Sequence, residues 1–205
     1  MNKYNESYYI IFNKYNEDTL YLKAQKQSDM RDYEYTKLKS GPPLFFENAY
    51  KDKDLSAGIK RPIKLAHMNI TYPIISEGIK NSLGSIENDN FQFYPAIIID
   101  DTGKYFESFW FFNVFEQLDV LDLELCDIDD YDPEDDMHDI EKYYLSDEKM
   151  SQIPEGQRLV FMPKYGDVGH IMVHESIVKV FKKHNVDTLN FVKVSEWKMG
   201  KQFID

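Results

Sequence analysis

The sequence predicts an α+β fold in a single domain spanning residues 1–205, with a mixed or antiparallel sheet and a few packed helices. Two observations lead there. Short β-branched and aromatic runs alternate with helical stripes and turn signals, and 42% of the residues are hydrophobic, enough to bury a sizeable core.

Tyr8-Tyr9-Ile10-Ile11-Phe12 is the first strand, and the polar, poorly periodic stretch after it leaves the rest of residues 1–40 without an assigned structure. Gly41-Pro42-Pro43 breaks the chain, and Leu44-Phe45-Phe46 behind it is apolar enough to be pinned to a core. Residues 51–64, charged and interrupted by a glycine and a proline, read as loop or short helix. Pro73-Ile74-Ile75 leads into a helical stripe of Ile79, Leu83 and Ile86. Ser76 stands at its N-cap, where a hydroxyl can accept a bond from an orphaned backbone N–H. Phe91-Gln92-Phe93 opens a strand that runs to Ile99. Asp100-Asp101-Thr102-Gly103 then turns the chain into an aromatic strand at residues 105–114, forming a β-hairpin.

Sliding the sequence by 98 positions lays Glu77 on Glu175, Ile79 on Ile177, Leu83 on Phe181, Phe91 on Leu189 and Phe93 on Phe191. Two similar helix–strand units on a common sheet are one expectation from this. The alternative is chance, since any two amphipathic helix–strand segments align in this way.

Charge is unevenly placed. The chain carries 36 acidic and 24 basic residues, a formal net charge of −12, which disfavours nucleic acid or an anionic membrane as partner and favours a basic one. Residues 116–141 hold 13 of the acidic groups and no Lys or Arg, so the rest of the chain is close to neutral. Within this segment residues 118–125 fit a half-buried strand with a carboxylate face, whereas residues 127–136 are too polar to be buried. Three roles remain open for the latter: a solvated acidic loop, a contact surface for a basic partner, or an irregular calcium site using Asp127, Asp129, Asp130, Asp132 and Asp136. The calcium role lacks the glycine of an EF-hand loop and has Pro133 inside it. The contact surface would comprise Asp127, Asp129, Asp130, Asp132, Glu134, Asp135 and Asp136, with Tyr131 as its aromatic anchor.

Catalytic chemistry is hard to place. His170 and His174 stand four apart, but Ile171, Met172 and Val173 occupy the positions between them, where a zinc protease helix needs its general-base glutamate. Cys126 sits among Glu124, Asp127 and Asp129, which disfavour a thiolate, so it reads as structural. No nucleophile elbow or phosphate-cradling loop occurs, and Gly166-Asp167-Val168-Gly169 reads as a turn. No catalytic residue, resident metal or cofactor is expected. With no secretory leader, no apolar run near the roughly 20 residues of a bilayer span and one cysteine, the expected compartment is the cytoplasm.

Gly41-Pro42-Pro43-Leu44-Phe45, then Pro73-Ile74-Ile75-Ser76-Glu77-Gly78-Ile79-Lys80, then Phe91-Gln92-Phe93-Tyr94-Pro95 form an ordered set. Asn113-Val114, Leu118-Asp119-Val120-Leu121-Asp122 and Val173-His174-Glu175-Ser176-Ile177 continue it. The set resembles the eleventh immunity-protein family of bacterial polymorphic-toxin systems over about residues 40–197, with region 41–197 as the family part. The resemblance implies a non-enzymatic inhibitor that neutralises a cognate toxin with a basic surface. It also implies structural roles for Pro42, Ser76, Glu77 and Pro95, and a differently capped second helix, because His174 stands where a serine like Ser76 is expected. A small acidic regulatory or calcium-responsive binding module is the alternative.

Overall fold

The run at Tyr8 is buried on both sides, which explains why it is apolar at every position. In the computed structural model, which describes residues 2–16, 18–84, 86, 89–135, 137–166 and 169–203, helix α1 (Lys3–Ser7) enters strand β1 (Tyr8–Asn13) directly. The Asn2 side chain caps α1 by accepting from the N–H groups of Tyr4 and Asn5. Along β1, Tyr8, Ile10 and Phe12 face one core while Tyr9 and Ile11 face another.

The polar stretch after β1 contains β2 (Leu22–Ala24) and a single helical turn, α2 (Lys26–Asp29). Next come β3 (Leu44–Asn48), α3 (Lys51–Ser56), β4 (Ala66–Asn69), β5 (Tyr72–Ser76), α4 (Glu77–Leu83), β6 (Phe91–Ile99) and β7 (Tyr105–Val114). The remaining elements are β8 (Gln117–Leu118), β9 (Asp127–Asp129), β10 (Asp139–Lys142), α5 (Asp147–Gln152), β11 (Val160–Pro163), β12 (Met172–His174), α6 (Glu175–Lys183) and β13 (Leu189–Lys193).

Six strands close into a barrel in the order β2-β3-β6-β7-β5-β4. Its longest side is the β6–β7 hairpin. There Gly103 takes φ 86°, a left-handed conformation open to glycine, and the Asp100 carboxylate accepts from the N–H groups of Thr102 and Lys104. Inside, Phe111 is fully buried and stacks on Phe46 at 5.7 Å, with Tyr33 at 4.9 Å and Tyr72 at 5.2 Å. Because the rings around it cannot all collapse into its space, Phe111→Ala should cost about 3–5 kcal/mol. Denaturant unfolding would show this as a fall in midpoint with little change in slope.

A second, five-stranded sheet runs β13-β1-β12-β11-β8, with β1 antiparallel to both neighbours and β8 parallel to β11. One face of this sheet joins the barrel interior in a single buried cluster that also takes in Ile79, Ile177 and Phe181 from the helices. The other face is covered by a second cluster that includes Tyr4, Val120, Leu121, Ile140, Tyr143 and Trp197.

The two helix–strand units are present, but on different sheets. After β5, helix α4 crosses to β6 with β7 lying between the two strands; after β12, helix α6 crosses to β13 with β1 between them. Each crossover skips over a middle strand antiparallel to both, β7 in the barrel and β1 in the five-stranded sheet. The helices do meet: α4 packs on α6, and Ser82 Oγ lies 2.8 Å from His184 Nε2. The second helix is capped differently, as expected, and the first lacks the expected hydroxyl bond. Ser76 occupies the N-cap of α4 without a side-chain capping bond, whereas His174 Nδ1 accepts from the Ser176 N–H at the start of α6.

Candidate functional site

The acidic segment is more structured than its composition suggests. The expected strand at residues 118–125 is confined to β8 and a single bridge from Leu121 to Leu145; beyond it Leu125 and Cys126 donate to the Asp122 carbonyl in a turn. Three carboxylates within a few residues favour a turn over a strand, while Val120 and Leu121 remain fully buried. Residues 127–136, expected as loop, begin instead as β9, paired antiparallel to β10 with Asp129 opposite Asp139 and Ile128 opposite Ile140.

Period-2 alternation gives this hairpin its polarity. Ile140 is buried and Ile128 packs against the second core, so the outward positions fall to Asp127, Asp129 and Asp139. Like charges directly across a strand pair are unfavourable. Among the described residues, none of these three, nor Asp130, Asp132, Glu134 or Asp135, forms an ion pair. Asp136 lies outside the described residues.

The tip is held by its own turn and by one strap. Asp130 takes φ 46°, and the Asp132 carboxylate accepts from the Glu134 N–H at 2.9 Å across Pro133. Tyr131 is half exposed and its ring rests on the buried His138 at 5.0 Å. His138 in turn donates its backbone N–H to the Tyr165 carbonyl at 2.6 Å and bridges to Gly166. The described residues from Asp129 to Met137 are all exposed, so the sequence-predicted surface residues are brought together on one hairpin end. Met137, exposed beside them, was not among the predicted contacts; an apolar residue inside a charge run was its signal.

The residues weighed for chemistry are placed as structural parts. His170 is buried, bonds the Tyr143 hydroxyl through Nδ1 at 2.8 Å and packs against Trp197 and Phe12; burial pushes its pKa down to about 4. His174 is the helix cap described above, so the two imidazoles do not converge. Cys126 Sγ accepts from the Tyr144 N–H, and burial pushes its thiol up to about 11, away from a reactive thiolate. Among the described residues no group of three or more His, Cys, Asp and Glu side chains is arranged to hold a metal ion, and no helix is long and apolar enough to cross a membrane.

No curated protein matches the chain. A family match does, running over residues 4–195 to the family described as Immunity protein family (Imm11). That span takes in the barrel, the five-stranded sheet, the acidic hairpin and residues 4–40, which the motifs alone do not reach. The chain therefore belongs to the Imm11 family of immunity proteins.

Proposed function

We propose that this chain neutralises a cognate bacterial toxin by binding and occluding it, without catalysis and without a cofactor, in the cytoplasm of the cell it protects. The contact is made by Asp127, Asp129, Asp130, Tyr131, Asp132, Glu134, Asp135 and Asp136. One observation carries this: carboxylates gathered on one hairpin end with no ion pair among the described residues, in a chain of an immunity family.

Charge held this way is costly to the isolated protein and favourable against a basic surface. It steers the encounter from a distance of about one Debye length, roughly 8 Å at physiological salt, and fixes orientation on contact. A toxin that acts on nucleic acid must carry such a basic surface, and an acidic hairpin can occupy it in place of phosphates. Tyr131, rigid and amphipathic, supplies buried area once the partner covers it. The test is calorimetry with the cognate toxin domain, at low and raised salt. A one-to-one complex that weakens as salt rises is expected; absence of binding at low salt would refute the proposal.

A further inference from the structure

The acidic hairpin is too short to hold its tip unaided. Strand β9 has only three residues, and a two-stranded hairpin standing alone is marginal in water. Beyond β9 the turn is closed locally, with the Glu134 N–H donating to the Asp132 carboxylate and the Asp135 N–H to the Asp132 carbonyl. Neither bond reaches the ring of Tyr131, which is half exposed.

What orders that ring comes from the five-stranded sheet. Strand β11 is pinned there, where Met162 donates to the Glu116 carbonyl and pairs with Gln117 of β8. One residue past β11, Lys164 donates its N–H to the Leu118 carbonyl at 2.9 Å. Tyr165 then turns through a left-handed φ of 75°, and its carbonyl accepts the His138 N–H at 2.6 Å. Gly166 adds a parallel bridge to His138. The backbone of His138 is thus tied to the sheet, and its side chain is buried, the residue being 5% exposed. The Tyr131 ring leans on that imidazole at 5.0 Å between centroids and a tilt of 43°, within the range at which aromatic rings attract one another.

We propose that His138 is the positioning residue of the toxin contact: its imidazole, held by Tyr165 and Gly166, sets the Tyr131 ring in the orientation the toxin receives. This rests on the hairpin being the toxin contact. An ordered tyrosine gives up little rotamer freedom on association, so nearly all of the free chain is competent to bind. Without the imidazole beneath it the ring spreads over its rotamers, and only the fraction in the right one associates. The toxin surface that fits this arrangement presents an apolar slot for one fixed ring, bordered by Arg or Lys that meet the exposed Asp130 and Asp132 on either side of it in the chain.

A double-mutant cycle on the full chain tests this against the cognate toxin domain, with His138→Ala, Tyr131→Ala and both together, beside His138→Phe and Asp132→Lys. His138→Ala should weaken the complex about 5-fold, through the association rate and with the dissociation rate nearly unchanged. It should add nothing in the Tyr131→Ala background, whereas damage to the fold alone would add in full. His138→Phe, which keeps a flat ring and the backbone N–H, should bind as the wild type does. Ring-proton Overhauser contacts between Tyr131 and His138 in the unsubstituted chain, free and in complex, hold as a readout even if His138→Ala fails to fold. Contacts in both states are expected, and their absence from either overturns the proposal. No effect of His138→Ala, or an equal effect with and without Tyr131, overturns the positioning role and leaves the hairpin contact standing if Tyr131→Ala and Asp132→Lys weaken binding. If neither of those two matters, both readings fall.

Discussion

Reversing Asp129, Asp130, Asp132, Glu134 and Asp135 to lysine together should weaken toxin binding by about three to four orders of magnitude. Each reversal replaces a favourable contact with a basic surface by a repulsive one, worth roughly 1 kcal/mol at a screened interface, and 1.4 kcal/mol is a factor of ten. The variant should still fold. All five side chains are exposed and hold no internal ion pair among the described residues, and the change relieves the Asp129–Asp139 repulsion across the strand pair. Its costs are a lysine at the left-handed Asp130 and the lost Asp132 bond to Glu134, each of order 1 kcal/mol. Surface-immobilised binding kinetics would show most of the loss in the association rate, and a flatter dependence on salt. Unchanged affinity in a folded variant would remove the hairpin from the interface.

Acidification from pH 7 to pH 5 should cost the fold about 4 kcal/mol. His67 and His170 are both buried, and desolvation of the charged ring pushes each pKa down to about 4. His67 Nε2 accepts from the Lys64 N–H, a bond that a doubly protonated ring cannot make. The unfolded chain therefore takes up protons first. Stability is full above about pH 6.5 and is lost as pH falls from there towards 4; at pH 5 each histidine accounts for roughly 2 kcal/mol. Lowered carboxylates such as Asp54, held down by the Arg61 guanidinium, act only at lower pH, so the window between 6.5 and 5 belongs to the histidines. Thermal melts across this window would show a steady fall in Tm, much reduced in a His67→Gln, His170→Gln double variant that folds at pH 7, where His174, also lowered by burial, is left. A melting temperature flat from pH 7 to 5 in the wild type would contradict the burial of neutral imidazoles.

Local pattern carried much of this fold into the sequence. The strands at Tyr8, Phe91 and Tyr105, the α4 stripe of Ile79 and Leu83, and the turn at Gly103 all depend on residues within a few positions of one another. Barrel closure does not. It depends on β2, three residues in a polar stretch, and on the parallel pairing of Leu44 with Ala96 across some fifty residues, for which no local signal exists. The same division holds at the candidate site. Charge concentration in residues 116–141 is visible in composition, but the hairpin arises from Ile128 facing Ile140, two isolated apolar residues in a charge run.

Growth rescue is the most direct measurement of the central claim. Cells expressing the cognate toxin domain should grow when the wild-type chain is co-expressed, and should fail to grow with the five-lysine hairpin variant at equal protein level. Full rescue by that variant, or none by the wild type, would contradict it.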